Sequence, residues 1–435
     1  MINNITQGLF WLRRRSFFRV VQRTFVMLMP VATIGAYFKI IRDCIFSPDS
    51  LIYNLFNFDY SMSDQIWNLG NSLSSGMIRV TFGIFGIYVA YFSAVYTARL
   101  YHKDATMAGI TSILVIMLCA YLTGNAQTAN SQVTFYSRIL SINGLLIAML
   151  IGYFVGQIFH WLGQDYVHIK VEHVEEIQKR AHQSLKPAIV TILFGLVLGL
   201  ILYFFKIRLL DSYSVKSIVT NLRSSNNLTV VILLTMLSML LWWCGIGYPV
   251  QSLAHDNNSG AALVNLNYAL RHGSAANVPY KFLGSSMVQS YGLMGDASIA
   301  LALTVILLLY THNKEIEDIA KLNLLPVAFG AKNGLAIGIP LILNPLYLLP
   351  VILIPAINEL IAAGAISLHL IMPPVYPVLE GTPGILISFF GSNGNWATFI
   401  FTILLFILDI LLLLPFVIIG RRISEELRAY DQAQI

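Results

Sequence analysis

Residues 139–163, ILSINGLLIAMLIGYFVGQIFHWLG, contain no Asp, Glu, Lys or Arg, and stretches of this kind recur along the chain. A helix crosses the hydrocarbon core of a bilayer with about 20 mainly apolar residues. Only helices and closed barrels satisfy their own backbone groups there. Candidate spans are roughly 24–41, 80–98, 106–123, 139–161 and 188–205 in the first half, and 228–246, 295–311, 323–343, 345–366 and 396–420 in the second. Charged residues make up 11% of the 435, whereas a soluble domain carries about 25%. So little charge cannot cover a water-facing surface, which excludes a soluble enzyme. The expectation is an all-α polytopic membrane protein.

The charges that remain orient it. RRRSFFR (13–19) precedes the first span and RLYHKD (99–104) follows the second, whereas 43–78 and 124–137 hold no Lys or Arg. The positive-inside rule then puts the N-terminus in the cytoplasm. The tail RRISEELRAYDQ (421–432) is basic at its membrane edge, so both ends are expected inside and the span count even. Lys206, Arg208, Lys216 and Arg223 follow the fifth span, where this count expects the outside. They hint that the middle departs from plain up-and-down topology. The net charge of +6 is accounted for by such loops, and no nucleic-acid partner is expected. In MINNITQGLFWLRRRSFFRVV the basic cluster follows a short apolar stretch instead of preceding one, which reads as an uncleaved first span.

Cys44, Cys119 and Cys244 lie far apart and imply neither a metal site nor a disulfide framework. The stretch 163–187, GQDYVHIKVEHVEEIQKRAHQSLKP, is too polar to span. Val171, Val174, Ile177 and Ala181 recur at helical steps, so an amphipathic surface helix fits, as does a solvated linker. His160, His168, His173 and His182 show no zinc-ligand order. No P-loop, GxSxG or HExxH is present, and no metal or other cofactor is expected.

Three tracts break the apolar pattern: 247–298, 326–345 (PVAFGAKNGLAIGIPLILNP) and 372–396 (MPPVYPVLEGTPGILISFFGSNGNW). Irregular backbone at membrane depth is tolerated where it is buried in protein or lines a watery cavity. Broken segments in one half are the sequence pattern of a transporter's midplane binding site. A re-entrant hairpin is expected at 326–345.

With LWWCGIG (241–247), GDAS (295–298), IAKLNLLPVAFGAKNGLAIGIPLILNPLYLLP (319–350) and GTPGILISFFGSNGNW (381–396) in order, the chain resembles a known family. These are the enzyme IIC permeases of the sugar phosphotransferase system, in the lactose/cellobiose/diacetylchitobiose branch, and the likeness runs from the first span to about residue 420. It implies a phosphotransferase IIC-like fold of about ten transmembrane helices plus two re-entrant hairpins, in a homodimer in the bacterial plasma membrane. It implies IIA and IIB phosphotransferase proteins as partners, with a phosphocysteine of IIB phosphorylating a sugar carried by an elevator-type mechanism. The expected organisation is a transmembrane scaffold and dimer interface at 1–162, an amphipathic cytoplasmic linker at 163–187, the fifth span and a connection at 188–225, a substrate-binding transport domain at 226–420, and a cytoplasmic tail at 421–435.

The departures from the family pattern are chemical. Where the family has the His of a Trp-aromatic-Gly-Ile-His-Gly sequence, this chain has Trp243, Cys244, Gly245, Ile246, Gly247. Where the family has Asn-Ile-Asn-Glu-Pro after a Phe, Phe329 is followed by Gly330, Ala331, Lys332, Asn333 and Gly334. Asn333 thus stands at the glutamate position. A Pro-Trp-Thr-Thr-Pro-Gly pattern appears as Leu379, Glu380, Gly381, Thr382, Pro383, Gly384, so the tryptophan is absent. Phosphoryl transfer to a hydroxyl is helped by a group that takes its proton, and neither Gly247 nor Asn333 is such a group. Glu380 and Asp296 are the candidate replacement carboxylates.

Candidate solute-binding residues are Lys332, Asn333, Gly247, Trp243, Asn344, Glu380, Thr382 and His255, and each important one has a plainer reading. Lys332 either faces a solute or snorkels to water. Asn333 and Asn344 either bind sugar or cap half-helices, Trp242 and Trp243 either stack on sugar or anchor at the interface, and Glu380 and His255 are either functional or ordinary loop residues. The functional expectation is a diverged sugar or glycoside permease with phosphorylation in doubt. The alternative is a non-phosphorylating relative that acts as a membrane sensor or scaffold, or as a facilitator for another polar or acidic solute.

Overall fold

Among the described residues, seven helical stretches are long and apolar enough to cross a membrane: Ser16–Ile45, Asp64–Leu100, Ala105–Gly124, Leu145–Leu162, Ile177–Phe205, Pro345–Ser367 and Trp396–Glu426. Two shorter apolar helices, Leu228–Trp243 and Ser298–Tyr310, join them. The computed structural model describes residues 2–124, 134–165, 174–207, 224–247, 260–311 and 313–432, and no extended strand occurs among them. His168, His173, Arg208, Lys216, Arg223 and His255 lie outside the described residues.

The first-half helices pack through small side chains, as membrane helices do when van der Waals fit replaces a hydrophobic driving force. Ala90 and Ala94 of Phe85–Leu100 are buried together with Met149, Ile151 and Val155 of Leu145–Leu162. Ser93 Oγ donates to Met149 O across that contact at 3.1 Å. Outward faces are bare leucine and valine, for example Leu193, Val197 and Leu200 on one helix and Leu404, Ile407 and Leu411 on another. Such faces suit lipid.

Three features differ from the sequence expectation. Residues 43–78, which lie between the first two candidate spans, fold into the helices Leu51–Leu55 and Phe58–Ser61 and most of Asp64–Thr81. From Val174 on, the amphipathic stretch runs into the fifth span as one helix, Val174–Phe205, with Pro187 inside it. Proline there removes one backbone donor, and the polar end is tied down independently. Arg180 donates to Asp104 Oδ2 at 2.5 Å and to Oδ1 at 2.8 Å, while Asp104 Oδ1 accepts from Met107 N at 3.1 Å. Finally, Lys206, one of the cations that follow the fifth span, has partners inside the protein. Its Nζ donates to Thr123 O at 2.8 Å, at the C-terminal end of Ala105–Gly124, and sits 4.4 Å from the Tyr136 ring centroid. A cation there satisfies an orphan carbonyl and the negative end of the helix dipole.

In the second half the stretch 314–345 is a helix, a turn and a short helix. Lys314–Ala328 ends at Pro326–Ala328, residues 329–332 turn, and Asn333–Gly338 runs on before the chain reaches Pro345. Gly334 and Gly338 give the short helix a small-xxx-small face. It lies against Ser16–Ile40 beside Met29, Thr33 and Ala36.

Candidate functional site

The irregular tracts of the second half converge on residues 294–297. The chain enters through a π turn, Val288–Gly292, and then places Met294, Gly295 and Asp296 at φ 44°, 62° and 70°. Left-handed backbone costs roughly 1–2 kcal/mol for each residue bearing a Cβ, so the surrounding packing must hold it. Met294 is fully buried, and Gly295 N donates to Gln289 O at 2.9 Å. Two glycines press on this knot from other tracts. A Cβ on Gly330 would collide with Gly295 O, and one on Gly384 would collide with Met294 O.

Lys332 reaches into the knot. Its Nζ donates to Asp296 Oδ1 at 2.7 Å, and the two side chains are 9% and 16% exposed. The same ammonium sits 4.6 Å from the centroid of the Trp242 ring. Four segments that are distant in sequence are thereby joined: 241–247, 288–298, 326–345 and 381–387. Lys332 does not snorkel to water. Its charge is compensated by a carboxylate and an aromatic face, an arrangement that makes a desolvated cation tolerable.

The remaining candidates take other places. Asn333, half-buried, begins the short helix one residue beyond Lys332. Trp243 and Asn344 meet: Trp243 Nε1 donates to Asn344 O at 2.9 Å, and Leu343 N donates to Trp243 O at 2.8 Å. The Asn344 side chain accepts from Leu346 N at 3.2 Å and donates to Pro340 O at 2.7 Å, bracing the hairpin's exit. Gly247 N donates to Asn143 O at 3.2 Å, so Gly247 lies against the start of Leu145–Leu162. Glu380 is exposed and pairs by its backbone with Asp49 and Leu51, while its Oε2 accepts weakly from Ser47 Oγ at 3.5 Å. Thr382 is buried, with its hydroxyl on Leu379 O at 2.7 Å. Lys332 and Asp296 are brought together, and Trp242 and Asn333 adjoin them. Glu380 lies apart, beside the segment after the first span, and His255 is outside the described residues.

Two carboxyl groups were missed in the sequence. Glu359 and Asp409 are fully buried within the spans Leu348–Ser367 and Trp396–Gln432. Asp409 accepts from Ser298 Oγ and from Asn358 Nδ2, both at 2.8 Å, and Glu359 Oε1 accepts from Thr235 Oγ1 at 2.6 Å. The signal was available: INEL and LDIL each set one acid inside an otherwise apolar run, and an ionisable group inside a span is functional by default.

Residues 22–355 match the family described as "Phosphotransferase system, EIIC". The chain is 22% identical over 398 residues to the "PTS system oligo-beta-mannoside-specific EIIC component" of Bacillus subtilis (strain 168), covering 89% of this chain and 84% of that protein. It is 22% identical over 465 residues to the "PTS system cellobiose-specific EIIC component" of Lactococcus lactis subsp. lactis (strain IL1403), covering 92% and 93%. Against the crystal structure of ChbC, the IIC component from the N,N'-diacetylchitobiose-specific phosphotransferase system, the TM-score is 0.43 at 22% identity, over 95% of this chain and 96% of that one. The family match spans most of the chain and contains the Lys332–Asp296 knot, so this protein belongs to the EIIC family of the phosphotransferase system.

Proposed function

We propose that this protein is a sugar permease of the bacterial plasma membrane that binds a glycoside of the cellobiose or oligo-β-mannoside kind in its second half, with both termini cytoplasmic. It carries that solute without the family's usual proton acceptor for phosphoryl transfer. The observation that carries the reading is the occupancy of the knot. Where the family has a carboxylate, this chain has the amide of Asn333, and the neighbouring Lys332 is already engaged by Asp296. A sugar hydroxyl attacking phosphorus must lose its proton. An amide, a glycine at 247 and an ion-paired ammonium do not take it. Glu380 is the one candidate carboxylate left open to solvent.

Movement follows an elevator, with the second half sliding against the first within a homodimer. The Gly334–Gly338 face supports this as a place where the second half meets the first closely, against Ser16–Ile40. An acidic solute is a weaker reading, since the Lys332 charge is neutralised within the protein.

The test is binding and uptake of a glycoside panel by purified protein in lipid vesicles, with and without IIA and IIB. Cellobiose or mannobiose binding with saturable uptake is expected. Failure to bind any glycoside in the panel would overturn the reading.

A further inference from the structure

Beyond the Lys332–Asp296 knot, the second half holds an acid with no cation. Glu359 is fully buried in Leu348–Ser367. One oxygen accepts from Thr235, and the other, Oε2, is buried with no hydrogen-bond partner. No Lys, Arg or His pairs with it among the described residues. We propose that Glu359 is a proton-binding site, neutral in the arrangement seen here, and that its proton is coupled to solute movement. The coupling rests on the permease reading, whereas the proton site stands without it.

The argument starts from charge. An ionised carboxylate taken out of water without a partner is far more costly than a neutral acid. One proton removes the charge and turns the unpartnered oxygen into a donor. The ionisable groups on elements packed against this helix do not offer an alternative. Leu228–Trp243 carries none, and Val288–Gly292 brings Tyr291, whose hydroxyl is also buried and unpartnered. Ser298–Tyr310 carries only Tyr310 at its far end, and the turn Pro345–Tyr347 brings Tyr347. Trp396–Gln432 brings Asp409, with Arg421 and Arg422 lying about three turns further along. Asp409 differs from Glu359 in that both its oxygens accept hydrogen bonds. The proton therefore belongs on Glu359.

The site also has a reader. Gly292 closes the π turn directly over Glu359, and a Cβ there would collide with Oε1. Four residues later Asp296 holds Lys332, and two residues after that Ser298 holds Asp409. One strained segment, 288–298, thus touches Glu359, Asp409 and the Lys332–Asp296 pair. Single π turns are rare and are frequently found at functional sites. Loss of the Glu359 proton places an uncompensated charge against this turn, and the turn is joined to the Lys332–Asp296 pair.

The experiment reads the proton directly. Infrared spectra of purified protein in lipid, from acidic to alkaline pH, are compared for wild type, Glu359→Gln and Asp409→Asn. A protonated-carboxyl C=O band at neutral pH that is lost in Glu359→Gln and kept in Asp409→Asn is expected. Should Glu359→Gln fail to fold, Thr235→Val serves instead: removing the donor to Oε1 must shift the same band. A wild type with no such band, or a band indifferent to both changes, overturns the proton site. A second arm measures cellobiose uptake by vesicles under an imposed pH gradient. Accumulation that follows the gradient in wild type and is lost in Glu359→Gln, with counterflow retained, is expected. Gradient-independent uptake in wild type overturns the coupling. A wild type that moves no glycoside at all refutes the permease reading, while the infrared arm still decides the proton site.

Discussion

Breaking the Lys332–Asp296 pair gives a sharp quantitative prediction. At 2.7 Å and an effective dielectric of about 20, the attraction between unit charges is about 6 kcal/mol, part of which desolvation of both ions takes back. Removing one partner of a buried pair costs about 3–5 kcal/mol, mostly because the other charge is left uncompensated. Asp296 keeps 16% of its side-chain exposure, so Lys332→Met falls at the lower end, about 3 kcal/mol. Asp296→Asn strands Lys332, which is less exposed but keeps the Trp242 ring, a contact of about 1 kcal/mol. The double variant loses both charges and leaves no orphan. Its destabilisation should fall short of the sum of the singles by about 2–3 kcal/mol. The assay is a double-mutant cycle on equilibrium unfolding in mixed micelles. Singles that add to within about 0.5 kcal/mol would show two independent side chains and refute the Lys332–Asp296 coupling.

Other outcomes follow from the same geometry. Gly330→Ala combines a φ of 80° with a collision against Gly295 O and should destabilise by about 2 kcal/mol or more in the same unfolding assay. Arg180→Ala leaves Asp104 buried beneath the polar end of Val174–Phe205 and should speed proteolysis and hydrogen exchange there, while the apolar part of that helix stays protected. The Lys103 ammonium, donating to Asp165 Oδ1 at 2.7 Å, holds the Asp165 carboxyl below its usual range. A depressed carboxyl contributes stability that is present above its unfolded pKa and lost as pH falls through the folded one. The stability difference between wild type and Asp165→Asn should therefore be constant at neutral pH and vanish in acid. A difference that grows in acid would contradict the assignment.

The long apolar runs were legible because hydrophobic length alone specifies a span, and the knot's members were visible as Gly, Pro and Lys where a plain helix wants none. That Lys332 binds Asp296 was not legible. Thirty-six residues separate them, and only the left-handed turn at 294–296 aims the carboxylate at the lysine. The polar helices of 43–78 escaped for the opposite reason, since their apolar faces are too interrupted to register as spans. Glu359 and Asp409 were readable as charges but were masked by the hydrophobicity around them. Asn344 carried both a cap and a sugar ligand as readings, and the Leu346 backbone donor it accepts from was not visible in sequence.

The central claim is that the solute passes this protein without phosphoryl transfer through the family's usual groups. It is tested most directly by the chemical form of labelled cellobiose recovered inside vesicles supplied with this protein, IIA, phosphorylated IIB and nothing else. Free sugar, at a level unchanged when phosphorylated IIB is withheld, is the predicted result. Phosphorylated sugar, formed only when this protein is present, would contradict the account.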